Sequence, residues 1–262
     1  MTASSGHERS PEKMQGHWLL ASLGKRVLRP GGAALSAWLV ERADPAGKDV
    51  VELAPGLGHT AAVIASRGPA SYVGVDRDPE ALRRARDVLG DRGIFVEGDA
   101  AATGRDDQSA DLVLGEAMLT MQNEKNKQAV VAEAFRVLRP GGTYAIHELA
   151  MTPDEVADDI KTTVRTELAR AIKVNARPLT PAEWGELLRG EGFEVLETKT
   201  APMALLEPKR IIADEGLRGA ARFFFNVLRR PDARRRVLRM RSVFRANRDS
   251  LAGIAVVARR PG

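Results

Sequence analysis

The 262-residue sequence contains no cysteine. A disulfide framework, a thiolate metal site and a catalytic thiol are thereby excluded, and no bound metal is expected. It also lacks any run approaching the roughly 20 apolar residues of a membrane span, and its start, Met1 to Lys13, is polar and has no apolar core of a secretory leader. A cytoplasmic, soluble protein is expected, with residues 1–13 as a disordered tail. Aromatic residues amount to 5%. Outside Phe223 to Phe225, which read as core, they do not interleave with basic residues as an RNA-binding surface requires. Hydrophobic residues at 44% suffice for a full core, so one globular domain with a sizeable insertion is the expectation.

What is present is a strand that ends in a glycine-bearing loop. Val50-Val51-Glu52-Leu53-Ala54-Pro55-Gly56-Leu57-Gly58-His59-Thr60 passes from a β-branched run through an acid into two glycines and a helix start. Such a unit builds a nucleotide site, because glycine lets the backbone approach a ligand and the helix start offers free N–H groups. Two further apolar runs end in acids: Tyr72-Val73-Gly74-Val75 at Asp76, and Ile94-Phe95-Val96 before Gly98-Asp99. In a parallel sheet successive strand ends line one crevice, so Glu52, Asp76 and Asp99 are expected to face one ligand. Asp76, about twenty residues beyond the glycines, is spaced to accept from the hydroxyls of a ribose. Each acid also has a plainer reading: Glu52 a solvated strand end, Asp76 a cap for the helix opening at Pro79, Asp99 a turn residue.

With these residues the chain resembles the class I S-adenosylmethionine-dependent methyltransferases, over roughly residues 45 to 150. The carriers are Glu52 to Gly58, Gly74-Val75-Asp76-Arg77, Gly98-Asp99-Ala100, Asp111-Leu112-Val113-Leu114 and Phe135-Arg136-Val137-Leu138-Arg139-Pro140-Gly141-Gly142. The last looks like the small-molecule branch that includes the ubiquinone and menaquinone C-methyltransferases. The resemblance implies S-adenosylmethionine as cofactor, S-adenosylhomocysteine as product, and Glu52, Ala54, Pro55, Gly56, Gly58, Asp76, Arg77, Asp99, Ala100 and Glu116 as cofactor-binding residues. It departs from the family at Ala54, where a glycine is usual; a positive φ there costs on the order of 1 kcal/mol. No Asn-Pro-Pro or Asp-Pro-Pro follows the strand ending near Glu116, which argues against an exocyclic nucleobase amine as acceptor.

Alternating strands and helices predict an α/β, Rossmann-like doubly wound sheet of seven strands with an antiparallel C-terminal hairpin. Strands are expected near 49–53, 71–75, 93–97, 111–115, 142–148, 193–199 and 254–258. Helices are expected near 58–67, 78–89, 124–138 and 154–174, and one opening at Thr180, whose Glu183 three residues on forms a capping box. Residues 14–44 read as an N-terminal helical lid broken at Arg29-Pro30-Gly31-Gly32, residues 45–262 as the methyltransferase domain, and 201–249 as a helical, arginine-rich insertion. The heptapeptide Arg-Val-Leu-Arg-Pro-Gly-Gly occurs at Arg26 and again at Arg136, and reads as one helix stop used twice.

Net charge is +5, yet residues 209–248 hold 13 basic and 3 acidic residues, leaving 27 basic and 32 acidic elsewhere. Leu217, Ala221, Phe224 and Leu228 mark an apolar helix face there, and Val237, Met240 and Phe244 a narrower stripe. The segment is either an insertion packed on the sheet with solvated arginines, a cap for an anionic or lipid-like acceptor, or a peripheral membrane contact through 217–246. For a protonated acceptor a base is required, and His147 with Glu148, at the end of the strand Tyr144-Ala145-Ile146, are the first candidates; His59 and His17 are rivals. The expected function is methyl transfer to O or C of a small, largely apolar acceptor, aromatic, quinone-like or lipid-like. Two alternatives stand beside it. One is an NAD(P)-dependent oxidoreductase, since Gly56 to Ala61 fits G-x-G-x-x-A; the other is an RNA-directed methyltransferase or nucleic-acid binder.

Overall fold

The structure, a computed structural model, describes residues 14–262, and the expected tail over 1–13 lies outside the described residues. Seven strands form one sheet: β1 (Asp49–Leu53), β2 (Ser71–Asp76), β3 (Ile94–Glu97), β4 (Ala110–Glu116), β5 (Leu138–Met151), β6 (Glu194–Pro202) and β7 (Leu251–Arg259). Their order is β3-β2-β1-β4-β5-β7-β6. The first five run parallel, whereas β7 is antiparallel to both β5 and β6. This is the α/β, Rossmann-like sheet that the sequence predicts. Parallel strands are covered on both faces, which is why β4 reads as the unbroken apolar run Leu112-Val113-Leu114, all buried. The chain order reverses between β1 and β4, and an α/β sheet opens a crevice at the carboxyl ends of such a pair.

One face of the sheet is covered by α2 (Gly32–Ala43), α3 (His59–Ser66) and α4 (Pro79–Leu89), which bury Leu35, Leu39, Ile64 and Leu89 against Val50, Leu112 and Leu114. The opposite face carries α5 (Glu124–Val137) and α7 (Pro181–Gly190) over Val113, Tyr144 and Ile146. A second core joins α1 (Gly16–Ser22), α6 (Asp158–Ile172), α8 (Pro208–Arg229) and α9 (Pro231–Ala246) above the carboxyl end of β5. The capping box forms as expected: Thr180 Oγ accepts from the Glu183 N–H while Glu183 accepts from the Thr180 N–H.

Three local readings differ. Strand β5 runs to Met151 rather than 148, because its antiparallel pairing with β7 continues to Met151 opposite Leu251. The second Arg-Val-Leu-Arg-Pro-Gly-Gly does stop a helix, since α5 ends at Val137, but its glycines then fall within β5, at an irregularity between the Ala110–Leu138 and Leu112–Thr143 pairs. The first copy is a helix start instead of a stop: Gly31, at φ 79°, is the N-cap of α2. In α8 the row Leu217, Ala221, Leu228 faces outward, and Ala220, Phe223 and Val227 are the buried row; Phe225 is 56% exposed, outside the core expected of it.

Candidate active site

Two cavities meet at the carboxyl end of the sheet. The larger is a cleft with about 1420 Å3 of free space open to solvent, lined by the β1 loop Ala54-Pro55-Gly56-Leu57, by Asp76, Arg77 and Asp78 after β2, and by Glu116, Ala117 and Met118 after β4; His17, Trp18, Arg26 and Arg29 close it from the N-terminal segment. The β1 loop is shaped by left-handed residues. Ala54, Gly56 and Gly58 have φ of 55°, 55° and 74°. Ala54 therefore occupies the strained region with a side chain, as does Ala117 (φ 54°) at the tip of the neighbouring β4. Gly56 lines the cleft, and a Cβ there would meet no protein atom nearer than the Ala54 carbonyl at 3.9 Å, so glycine keeps that space for a ligand. A Cβ on Gly58 would sit 2.8 Å from Ala85 Cα, which is how α3 and α4 pack closely behind the loop.

The tip of β2 places Asp76 in the cleft. Its Oδ1 accepts from the Asp78 N–H at 3.0 Å and its Oδ2 faces the Gly56 N–H at 3.4 Å. Burial pushes the Asp76 carboxyl up, opposed by backbone N–H groups of Asp78, Gly56 and Arg77. The cap of α4 is Asp78, whose side chain accepts from the Glu80 N–H, so Asp76 is free of that duty.

Glu52 and Asp99 are placed otherwise than expected. Glu52 is 2% exposed and does not line the cleft; its Oε2 accepts from the Tyr72 hydroxyl at 2.6 Å. Burial raises its pKa to about 7, against the lowering effect of that hydrogen bond. Asp99 is exposed at the rim, where Oδ1 accepts from the Ala101 N–H and Oδ2 lies 3.5 Å from the Arg77 guanidinium. Ala100 packs against the sheet core. Of the three acids expected to converge, only Asp76 faces the cleft; a different one, Glu116, joins it.

Glu116 is the hub of the floor. It accepts from Ser36 Oγ at 2.6 Å, from the Thr60 hydroxyl, and from Arg29 Nε at 2.7 Å, with His147 Nδ1 at 2.9 Å. Burial works against its charge, yet Arg29 and these hydrogen bonds hold its pKa down at about 2. The hub pins the N-terminal segment to the sheet.

His147 and Glu148 lie outside both cavities, at odds with their expected role as reacting groups. His147 is fully buried; its Nε2 faces the Pro30 carbonyl and its Nδ1 faces Glu116 and Ser36, so neither ring nitrogen is open to an acceptor. Glu148, also fully buried, accepts from the N–H groups of Met118, Leu119 and Thr120 and from the Thr120 hydroxyl, and so holds the loop after β4. Both sit inside β5, not at its end. His59 is the first residue of α3 and lines the cleft; burial, Arg29 and Arg26 lower its pKa.

The second cavity is an apolar chamber with about 680 Å3 of free space, part of it open to solvent, lined by Leu20, Leu149, Leu168, Ile172, Met240 and Phe244 among others. It adjoins the cleft through shared walls: His17, Leu28, Ala117, Met121 and Val174 line both. Among the described residues His17 is the one titratable side chain of the chamber. Burial lowers its pKa, with Asp78 opposing. Arg29, Trp18, Met121 and Val174 escaped the sequence reading; the signal available was the arginine pair in the turn Arg26 to Gly32, next to the expected lid.

A family model described as a methyltransferase domain matches residues 50–142. The chain is 33% identical to an uncharacterized protein of Haemophilus influenzae, over 94% of this chain and 98% of that one. It is 29% identical to a sterol 24-C-methyltransferase of Neurospora crassa over 72% of this chain, which spans 52% of that longer protein. A solved structure of phosphoethanolamine N-methyltransferase 2 from Haemonchus contortus, in complex with S-adenosyl-L-methionine, superposes with a TM-score of 0.71 at 17% identity, covering 94% of this chain and 57% of that one; this likeness concerns the fold. Neither the oxidoreductase nor the RNA reading is favoured by these comparisons. Glycine loop, ribose-spaced acid and strand order agree with the family match: the chain belongs to the class I S-adenosylmethionine-dependent methyltransferases, and S-adenosylmethionine is its cofactor.

Proposed function

We propose that this enzyme methylates O or C of a small, largely apolar acceptor, aromatic, quinone-like or lipid-like, held in the chamber beside the cofactor cleft. The single observation that carries this reading is the chamber itself: its lining is almost wholly aliphatic, aromatic and thioether, and it shares walls with the cleft. A relative named for sterol methylation supports an apolar acceptor. A charged or strongly polar acceptor would leave its hydration without finding partners there, at a cost of several kcal/mol.

The bound cofactor supplies an electrophilic methyl on a sulfonium. Asp76 would hold the ribose, the Ala54 to Gly58 loop would carry the backbone against the adenosyl portion, and Arg29 or Arg26 would meet the carboxylate of the amino-acid end. The walls exclude water and align the acceptor, which can supply much of the acceleration in such a transfer. His17, neutral at pH 7 because its pKa is lowered, would take a proton from a hydroxyl or carbon acid.

Thermal stabilisation by S-adenosylhomocysteine and turnover with hydroquinones, phenols and sterols test the reading. Val174→Trp narrows the passage between the cavities, so it should keep the stabilisation and lose turnover, whereas Asp76→Ala should lose both. His17→Gln should lower kcat about 10²-fold and remove the acid limb of the pH profile. Turnover confined to polar amines, or unaffected by Val174→Trp, would refute the apolar acceptor.

A further inference from the structure

Helix α8 presents two apolar rows to two different environments. Ala220, Phe223 and Val227 are buried in the second core. Leu217, Ala221, Phe225 and Leu228, spaced i, i+4, i+8 and i+11, form a second row on the outside. Its three large side chains are 76%, 56% and 65% exposed. Arg218, Arg222 and Arg229 run alongside it at the same helical spacing, all exposed, and the Arg229 guanidinium lies 5.2 Å from the centre of the Phe225 ring.

The acids just before the row, on the far side of the kink that Gly216 makes in α8 (φ 71°, ψ 170°), are withdrawn. Glu215 is 4% exposed and accepts from the Arg26 and Val27 N–H groups, while Asp214 accepts from the Ala33 N–H and faces Lys25. Inward contacts thus hold both carboxylates, and the outward surface of α8 between Leu217 and Arg229 presents no acidic group. The segment 209–248 around it holds 13 basic and 3 acidic residues.

We propose that the outward face of α8 docks the protein on an anionic lipid surface. An apolar row bordered by arginines suits the boundary between acyl chains and charged headgroups: leucine and phenylalanine enter the boundary while the guanidinium groups stay among the phosphates. Charge complementarity selects an anionic bilayer, since each arginine near it strengthens binding about fivefold, so three together give roughly a hundredfold. Docking stands on α8 alone; its purpose, delivering an apolar acceptor that partitions into bilayers, rests on the function proposed above. The chamber is walled by α9 and by Met203 and Leu205 shortly before α8, and these pack in one core with Ala220, Phe223 and Val227 of α8, so chamber and docking face belong to one structural unit.

Flotation of the full chain with vesicles tests this, using phosphatidylcholine alone or mixed with phosphatidylglycerol, at low and high salt. Binding to the mixed vesicles only, weakened by salt, is expected. The double variant Leu217→Ser, Phe225→Ser and the double variant Arg218→Glu, Arg222→Glu should each reduce partitioning at least tenfold while keeping the wild-type melting temperature and its rise with S-adenosylhomocysteine. No flotation of the wild type, or equal flotation of the variants, overturns the proposal. So does light scattering that shows a dimer which Leu217→Ser, Phe225→Ser converts to monomer, because a second copy would then cover the row. A wild type that does not float yet turns over soluble phenols removes docking and leaves the apolar-acceptor reading standing.

Discussion

Replacing Glu52 by glutamine should change the pH dependence of stability more than stability itself. The carboxyl is buried beneath the sheet, with the Tyr72 hydroxyl on its Oε2, and its pKa stands at about 7 against an ordinary 4.5. The folded state therefore holds a proton between these values that the unfolded chain has released. Stability is highest at the acid end of that window and falls as pH rises through it, by about 3 kcal/mol for the whole interval. For a chain of this size that is a fall in melting temperature of roughly 6–12 °C. Glutamine keeps an acceptor for Tyr72 and does not titrate. Thermal melts of wild type and Glu52→Gln from pH 4.5 to 8 should diverge, the variant gaining relative to wild type as pH rises, with the difference levelling above 7. Tyr72→Phe removes a hydrogen bond that lowers the Glu52 pKa, so it should move the wild-type descent to higher pH. Two parallel melting curves for wild type and Glu52→Gln would refute the reasoning, because they would mean that Glu52 has the same proton affinity folded and unfolded.

Ala54→Gly should stabilise the protein by about 0.5–1 kcal/mol in denaturant melts, since the left-handed φ is relieved by more than the unfolded chain gains in freedom; Ala62→Gly inside α3, at a helical position, should instead destabilise by about 1 kcal/mol. Arg29→Met leaves Glu116 without its ion pair and should cost about 3 kcal/mol at pH 7. Glu116 has a depressed pKa, so its contribution is complete above 4.5 and is lost as pH falls toward 2; in Arg29→Met that acid loss should begin at higher pH, seen as an earlier acid-unfolding midpoint.

The parts of this site that were legible in sequence are those fixed by neighbours in the chain. A β-branched run, an acid and two glycines specify a strand, a loop and a helix start within about ten residues, and the next acid falls at the tip of β2 because strand and helix lengths are narrowly distributed. Side-chain direction was not legible, because it depends on where a strand ends. His147 and Glu148 look like a strand tip only if β5 stops at 148; pairing with β7, about a hundred residues later, carries it to Met151 and leaves both groups buried inside the sheet. Glu52 reads toward the cleft for a related reason, since nothing in its own strand announces that the hydroxyl of Tyr72 on β2 will claim it. On α8 the helical period was plain, but two apolar rows share it, and only the position of the second core decides which row is buried.

The chamber was the least legible feature, and the reason is topological. Its walls come from α1, β5, α6, the segment before α8, and α9, so no local pattern contains more than a fraction of it. Each contributor is an ordinary amphipathic element whose apolar side must be covered by something. In a plain doubly wound sheet that something would be the sheet. Here the elements cover one another above the end of β5, and because their side chains meet across a gap instead of closing it, burial of the second core and formation of a binding space are one event. Glu116 then ties this cap to the cofactor side: through Arg29 and Ser36 it fixes the segment that also carries His17 and Leu28, two of the residues common to both cavities. A substitution that loosens the Glu116 hub should therefore disturb cofactor cleft and chamber together, whereas one in α9 should disturb the chamber alone.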